Sequence, residues 1–484
     1  MRPTPLALRK LTLALCAGAA LASAPSAYAQ QANTTFDGLL EKLKDKGVLT
    51  QDEYDALKAA REEEIQQQRV DRRARALKEA KAAEQDEKEK EAAAKATKFD
   101  VNPAIRSIQL FGDVRTRFES RTGRTDAVGA TAAQEQGRER ERYAVRLGIR
   151  GDLTDRWYYG LRLETNTSPR STWVTFGGDT SSSPSDKTSD GINVGQAYVG
   201  WRATDWLDLV VGRQPNPFFS TSWLVWDPDI NPEGLAQKIS YPLNDRLTLF
   251  GNFGQFVYRD LTPDVSKDEI GFNGQDAYLL GYQVGATYKF TGTTALKAAA
   301  TYYQYNGRTD AANGTFMAPG GTLNTTGIND LAVLQVPVEL STSLLGQTFK
   351  VYGEYATNFK AGDRARKSRY PNQGDDKNAY TLGVGIGQLK KKGDWEARAF
   401  YQYTEVFAVD PNLVDSDLFD SRVGLKGWYA QGIYNFTDAI YGRAIYGQAT
   451  RINKSMPTPG TGTDISLGTL DDYKLLQLDL GLRF

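Results

Sequence analysis

The sequence predicts an all-β, membrane-spanning barrel of about 16 antiparallel strands, preceded by a helical arm. Three observations carry this. Runs that alternate apolar and polar residues begin near residue 105 and continue to the chain end. Short turns rich in Asp, Asn and Gly take turns with long polar stretches between those runs. The last run, "LLQLDLGLRF", puts Leu476, Leu478, Leu480, Leu482 and Phe484 on one face and Gln477, Asp479 and Arg483 on the other, so the chain ends on a two-faced strand.

The first element is a leader. Arg2, Arg9 and Lys10 give a basic start, Leu11 to Leu21 a short apolar core, and Ala27-Tyr28-Ala29 small residues at the expected cleavage positions, so cutting is predicted after Ala29. The core falls short of the roughly 20 apolar residues that a spanning helix needs. Cys16, the single cysteine, follows the bulky Leu15, where a lipid-attachment site wants a small residue. Without the leader the chain carries three more acids than bases, which gives no argument for nucleic acid, and no thiol, hence no disulfide framework.

Residues 30–98 form the arm. Phe36, Leu39, Leu40 and Leu43 recur at helical spacing before a break at Gly47. Thr50-Gln51-Asp52-Glu53 then has capping-box spacing, and Ala, Glu, Lys, Arg and Gln fill the interval to about Lys98 without Gly or Pro. Tyr54, Leu57 and Ile65 start an apolar seam that turns to alanine and charge past Gln66. The arm therefore reads as either a coiled coil or a solvated, semi-rigid spacer.

The barrel is expected over 99–484. "SIQLFGDVRTRFES" sets Ile108, Leu110, Val114 and Phe118 against Asp113, Arg115, Arg117 and Glu119, and "RYAVRLGIRGDL", "AYLLGYQVGATYKF" and "DWEARAFYQYT" repeat the pattern. Tight turns are marked at Thr154-Asp155-Arg156, Thr204-Asp205, Asn244-Asp245-Arg246 and Thr437-Asp438. Looser versions occur at Thr291-Gly292-Thr293, around Ser341–Leu345 and at Lys391–Asp394. Seven short turns between long stretches such as Ser168–Gly191, Gly307–Asp330 and Asn453–Asp472 imply about 16 strands. Trp157, Trp206 and Trp395 adjoin tight turns, where an interfacial aromatic girdle belongs. A soluble all-β chain would need a second sheet to cover these apolar faces. Pairing the last strand with "IQLFGDVRTRF" instead removes both edges at once. A terminal Phe after alternating apolar residues also resembles the C-terminal signature of bacterial outer-membrane proteins, which implies handling by the barrel-assembly machinery.

Chemistry is bounded by the absence of histidine. Ser-His-Asp and Cys-His catalysis and ordinary zinc or haem sites lack their bases and ligands, and nothing supports carboxylate-only catalysis; no enzyme and no cofactor is expected. "WDPDINPEG" spaces Asp227, Asp229, Asn231 and Glu233 by two, but Pro232 stands where a calcium loop needs Gly and Lys238 where it needs Glu. The EF-hand reading fails, a weak cation site on those oxygens stays open, and no metal site is assigned. "GVGIG", 383–387, lacks the helix of a phosphate loop and reads as close packing on a wall.

The segment "GRQPNPFFSTSWLVWDPDINPEGLA", Gly212–Ala236, resembles a signature of a bacterial family known as putative porins; "GDVRTRFE", "LKGWYAQGIYNFTD" and the helical arm are similar to that family too. The resemblance implies an outer-membrane pore. Gly212–Ala236 follows the fifth strand as the third long loop, which in general porins folds into the barrel and narrows it. By that resemblance Asp227, Asp229 and Glu233 line a constriction; the plainer alternative is a surface loop folded by Pro215, Pro217, Phe218, Phe219 and Trp223. Alternation points Arg115, Arg117, Arg146, Arg150 and Arg162 into the lumen. They form either a basic stripe opposite an acidic loop or wall supports paired with Asp113, Glu119, Asp152 or Glu164.

The function expected is a water-filled channel in the bacterial outer membrane for small hydrophilic solutes or ions, its arm in the periplasm. Analogy with general porins implies a homotrimer. The rivals are a structural tether whose arm contacts the cell wall, and an anion-preferring uptake channel.

Overall fold

The protein is described from a computed structural model that covers residues 38–48, 50–96, 102–127, 132–165, 171–177, 191–259, 277–307, 327–461 and 463–484. The leader with Cys16, the first arm residues and parts of the long stretches 168–191 and 307–330 lie outside the described residues. The chain divides into two units, Met1–Val101 and Asn102–Phe484.

In the first unit a helical segment over 38–45 precedes helix α1, Gln51–Ala96. The predicted capping box is present. Thr50 N donates to Glu53 Oε2 at 2.9 Å, and Glu53 N donates to Thr50 Oγ1 at 3.4 Å. Donation from Thr50 N, and then from the Thr50 hydroxyl at 2.8 Å, holds the Glu53 carboxyl below its ordinary value. Leu57, Val70 and Leu77 are exposed, so no apolar seam of α1 is buried within this chain.

In the second unit the described residues form one sheet of 17 strands. They are β1 Gln109–Thr125, β2 Gln134–Asp152, β3 Trp157–Thr165, β4 Val174–Thr175, β5 Ile192–Arg202, β6 Leu207–Arg213, β7 Glu233–Pro242, β8 Leu247–Arg259 and β9 Ala277–Lys289. After these come β10 Ala295–Gly307, β11 Ala332–Leu344, β12 Gln347–Asn358, β13 Asn378–Gly387, β14 Trp395–Thr404, β15 Leu425–Asn435, β16 Ile440–Arg451 and β17 Asp472–Arg483. β4 only patches β2 beyond the end of β3; setting it aside leaves a wall of 16, each strand antiparallel to its neighbours. β17 pairs with β1 from Asp113↔Arg483 to Arg124↔Asp472, and Gly112 and Phe484 exchange bonds of 3.0 and 3.1 Å at the rim. The sheet is closed, and the two-faced C-terminal strand is one side of the seam.

The wall is apolar outside and polar inside, as a lipid-facing barrel requires. Leu110, Val114, Leu147, Val211, Val284, Leu382, Leu478 and Leu480 are exposed, whereas Arg117, Glu119, Gln283, Thr301, Gln335, Glu354 and Gln477 are buried. No helix among the described residues is long and apolar enough to cross a membrane, so the crossing is made by strands.

All seven short turns lie at one end. Their recurrent Thr or Asn caps backbone N–H groups two and three residues on: Thr204 Oγ1, Asn244 Oδ1, Thr291 Oγ1 and Thr437 Oγ1 each accept such a pair. The β11–β12 turn uses Leu345 and Gly346, with φ of 53° and 74°. Exposed Trp157, Trp206 and Trp395 surround this end, and Trp157 stacks on Trp201 with ring centroids 5.6 Å apart.

Candidate functional site

The third long loop, Gln214–Pro232, turns inward from a root made by two glycines. Gly212 and Gly234 pair across β6 and β7 with φ of 118° and 147°, and a Cβ on either would come within 2.3 Å of a neighbouring carbonyl oxygen. Asn216 then accepts from Phe218 N, and the Phe218 ring seats over Gly281 and edge-on to Phe256 and Tyr303. Phe219 is held through both its N–H and its carbonyl by Gln283 of β9.

The loop then crosses the lumen. At its tip the Glu354 carboxylate of β12 accepts from Thr221 N at 2.9 Å, Ser222 N at 3.1 Å and the hydroxyls of Ser220 and Thr221, while Gln335 donates to its other oxygen. Trp223 meets Phe400 and Tyr429 edge-on. Leu224, Val225 and Trp226 are buried together with Val406–Val409 and Leu413 of the β14–β15 connection, 405–424. The prolines and aromatics of the sequence motif therefore pack a loop inside the barrel.

The three acids of that loop have different placements. Asp227 is 1 % exposed; its side-chain oxygens accept from Asp229 N and Ser416 N and staple the third loop to 405–424, so this carboxylate does not face water. Asp229 is partly accessible and reaches the β2 wall, where Arg146 Nη2 lies 2.5 Å from Oδ1. Glu233 is the first residue of β7, exposed, and paired with Arg213 at 2.8 Å. Only Asp229 projects from the loop body to an arginine of the predicted stripe.

That stripe is on the inner face, but its members differ as well. Arg115 lies 2.6 Å from Asp113 and donates to Thr172; Arg162 pairs with Glu164 at 2.8 Å; Arg150 is exposed, bonded to Gln109 and set over the Phe111 ring. Arg117 is 2 % exposed, bound to Asp479 at 2.7 Å and Asp417 at 2.9 Å, with the Trp173 ring centroid 3.9 Å away. Most of the arginines thus have acid partners, and Arg117 is fully committed to them.

The sequence reading stopped short of a larger lattice. Arg121 is buried against Glu119, Asp417, Asp420 and Asp464, and Arg140 joins Glu119 to Asp464 at 2.6 Å each. Arg121 and Arg140 continue the alternation of "SIQLFGDVRTRFES" and "RYAVRLGIRGDL" just beyond the ends of those runs, so it could have found them. The role of Glu354 could not be found that way, because its partners in the third loop, Ser220, Thr221 and Ser222, lie more than 130 residues away. In the loop 405–424, burial first and then the neighbouring Asp417 push the Asp415 carboxyl up to about 7. For Asp417 burial acts upward too, but Arg117 and Arg121 outweigh it and hold the carboxyl below its ordinary value.

With this geometry in view, residues 119–331 match the model of a family described as putative porin. No curated relative matches. Among solved structures the chain is similar to an anion-selective porin from Comamonas acidovorans, at 11 % identity and TM-score 0.42, covering 78 % of this chain and 99 % of that one. It is also similar to a structure described as asymmetric conductivity of engineered proteins, at 12 % identity and TM-score 0.38, covering 78 % of this chain and 100 % of that one. Neither likeness is close enough to carry an argument about what passes.

Proposed function

We propose that this outer-membrane channel passes small hydrophilic solutes or ions by passive diffusion, and that its third loop narrows the path at Asp229 and Arg146. One observation carries the reading: a closed wall, oily outside and charged inside, crossed by a loop whose one water-accessible mid-loop acid faces the arginine-rich side. The directly paired Asp229 and Arg146 border the remaining aqueous path, where their local field orients polar solutes. Arg162, partly accessible, and the buried Arg115 extend the basic edge on the same side, while Asp227 keeps the loop in place and Glu233 sits at its root.

The helical arm, most of whose described side chains are exposed, is proposed to extend into the periplasm, where it contacts the cell wall or a partner helix. The homotrimer and recognition of Phe484 by the barrel-assembly machinery are proposed on the analogy stated above.

Planar-bilayer recordings test the reading. The full chain and a form lacking residues 30–98 are expected to conduct alike, and Asp229→Asn to shift the reversal potential in a salt gradient toward anion preference. A barrel that leaves bilayers sealed, or conductance that vanishes with the arm, would sink it.

A further inference from the structure

At the turn end, residues of β5–β10 and the adjoining turns line an open pocket of about 570 Å³. Its charged groups are nearly all paired: Lys238 lies 2.7 Å from Asp208, Arg156 2.5 Å from Asp205 and Arg202 2.8 Å from Asp152. Lys297 is different. Glu339 faces it across β11 in register, but that carboxylate is taken by Lys350 at 3.1 Å. Among the described residues Lys297 has no carboxylate partner. Its Nζ lies instead 4.0 Å from the ring centroid of Phe219, in the third loop, and 5.0 Å from that of Phe250.

We infer that this pocket is a binding subsite for a small organic carboxylate with an apolar body, with Lys297 as its charge partner. Two ring faces take up part of the ammonium's surroundings and hold it in place, while Glu339, engaged by Lys350, faces it without a direct ion pair. The remaining donors are open to an acceptor. Around it stand the hydroxyls of Ser240, Thr248 and Thr287 and the Asn252 amide, polar partners for a carboxylate, with Phe250 to flank an apolar body. The Phe219 ring beside Lys297 is fixed, because Gln283 holds the Phe219 backbone and also accepts from Asn252. A solute emerging beneath the constriction would meet this cation before leaving by the turn end. The inference deepens the channel reading and rests on it for the solute's route.

The test is fluorine NMR of 4-fluorobenzoate with the detergent-solubilised full chain, run alongside bilayer conductance. Lys297→Gln is expected to weaken probe binding about fivefold, as for a partly solvated ion pair. Lys297→Arg should keep it, Lys392→Gln, which removes the same charge on the exposed β13–β14 turn, should leave it unchanged, and fluorobenzyl alcohol should bind far more weakly than the acid. Equal affinity in wild type and Lys297→Gln, or equal binding of the alcohol, would overturn the subsite whether or not the protein conducts. Probe binding through Lys297 in a protein that passes no current would uphold the subsite and overturn the channel reading alone.

Discussion

Glu354 shows how one side chain sets the position of a whole loop. It is 3 % exposed and has no ion-pair partner among the described residues; it is held by N–H and O–H donors from Ser220, Thr221, Ser222 and Gln335. Replacing it by Ala strands those donors, and each buried donor left without an acceptor costs roughly 1–3 kcal/mol. The tip of the third loop is therefore expected to detach in Glu354→Ala. Because the barrel has no native cysteine, a Ser222→Cys probe reads this directly: maleimide labelling should speed up in the Glu354→Ala background and only slightly with Gln. Equal labelling rates would show that the aromatic packing of Trp223 and Trp226 holds the tip unaided. At this scale the sequence was only partly legible. Alternation gives the side on which a residue lies, so Arg115, Arg117, Arg146, Arg150 and Arg162 were readable as inward. It gives no partner across the lumen, and so it could not separate the stapled Asp227 from the accessible Asp229.

The elements that matter beyond the strands are the two inward connections, 214–232 and 405–424. Their junction is made of Asp227 to Leu413 and Ser416, followed at once by Asp415 and Asp417. Asp415 caps the N–H groups of Asp417 and Leu418, and its carboxyl, pushed up to about 7, keeps its proton in the folded loop at pH values where an unfolded chain has lost it. The folded loop binds more protons than the unfolded one between the ordinary carboxylate range and about pH 7, so this group's contribution falls as pH rises through that window. Amide exchange at Asp417 and Leu418, corrected for its intrinsic rate, should show more frequent opening at pH 8 than at pH 5.5, and Asp415→Asn should abolish the difference. Pairing with Arg117 and Arg121 acts the other way on Asp417, which stays ionised across this range. The tight turns were legible because a Thr or Asn capping its own following N–H groups is a local device. The long connections were not, since their course depends on a wall built from the rest of the chain.

For the whole molecule, the inversion of polarity predicts a depth dependence. Leu478 lies midway along β17, between Phe118 of β1 and Ala444 of β16, with its side chain outward; Leu482 lies near the turn rim. Leu478→Arg is expected to cost roughly 2–4 kcal/mol and Leu482→Arg about 1 kcal/mol or less. Urea unfolding of lipid-reconstituted protein should separate them, and equal losses would mean that this face does not meet hydrocarbon. Strand number, closure and sidedness were all readable in the sequence, because period-two alternation and the placing of turns determine them. Burial sets the limit of that reading: the two connections that fold into the lumen pack against segments distant in sequence, which no local pattern encodes.

The seam between β1 and β17 brings Gly112 and Phe484 together at the same rim as the seven short turns. The order in which the strands are synthesised is thus separable from the order in which they stand. A chain with Phe484 joined to Asn102 by a brief linker and cut open at the Leu345-Gly346 turn would be a circular permutant with every neighbour relation of the wall preserved.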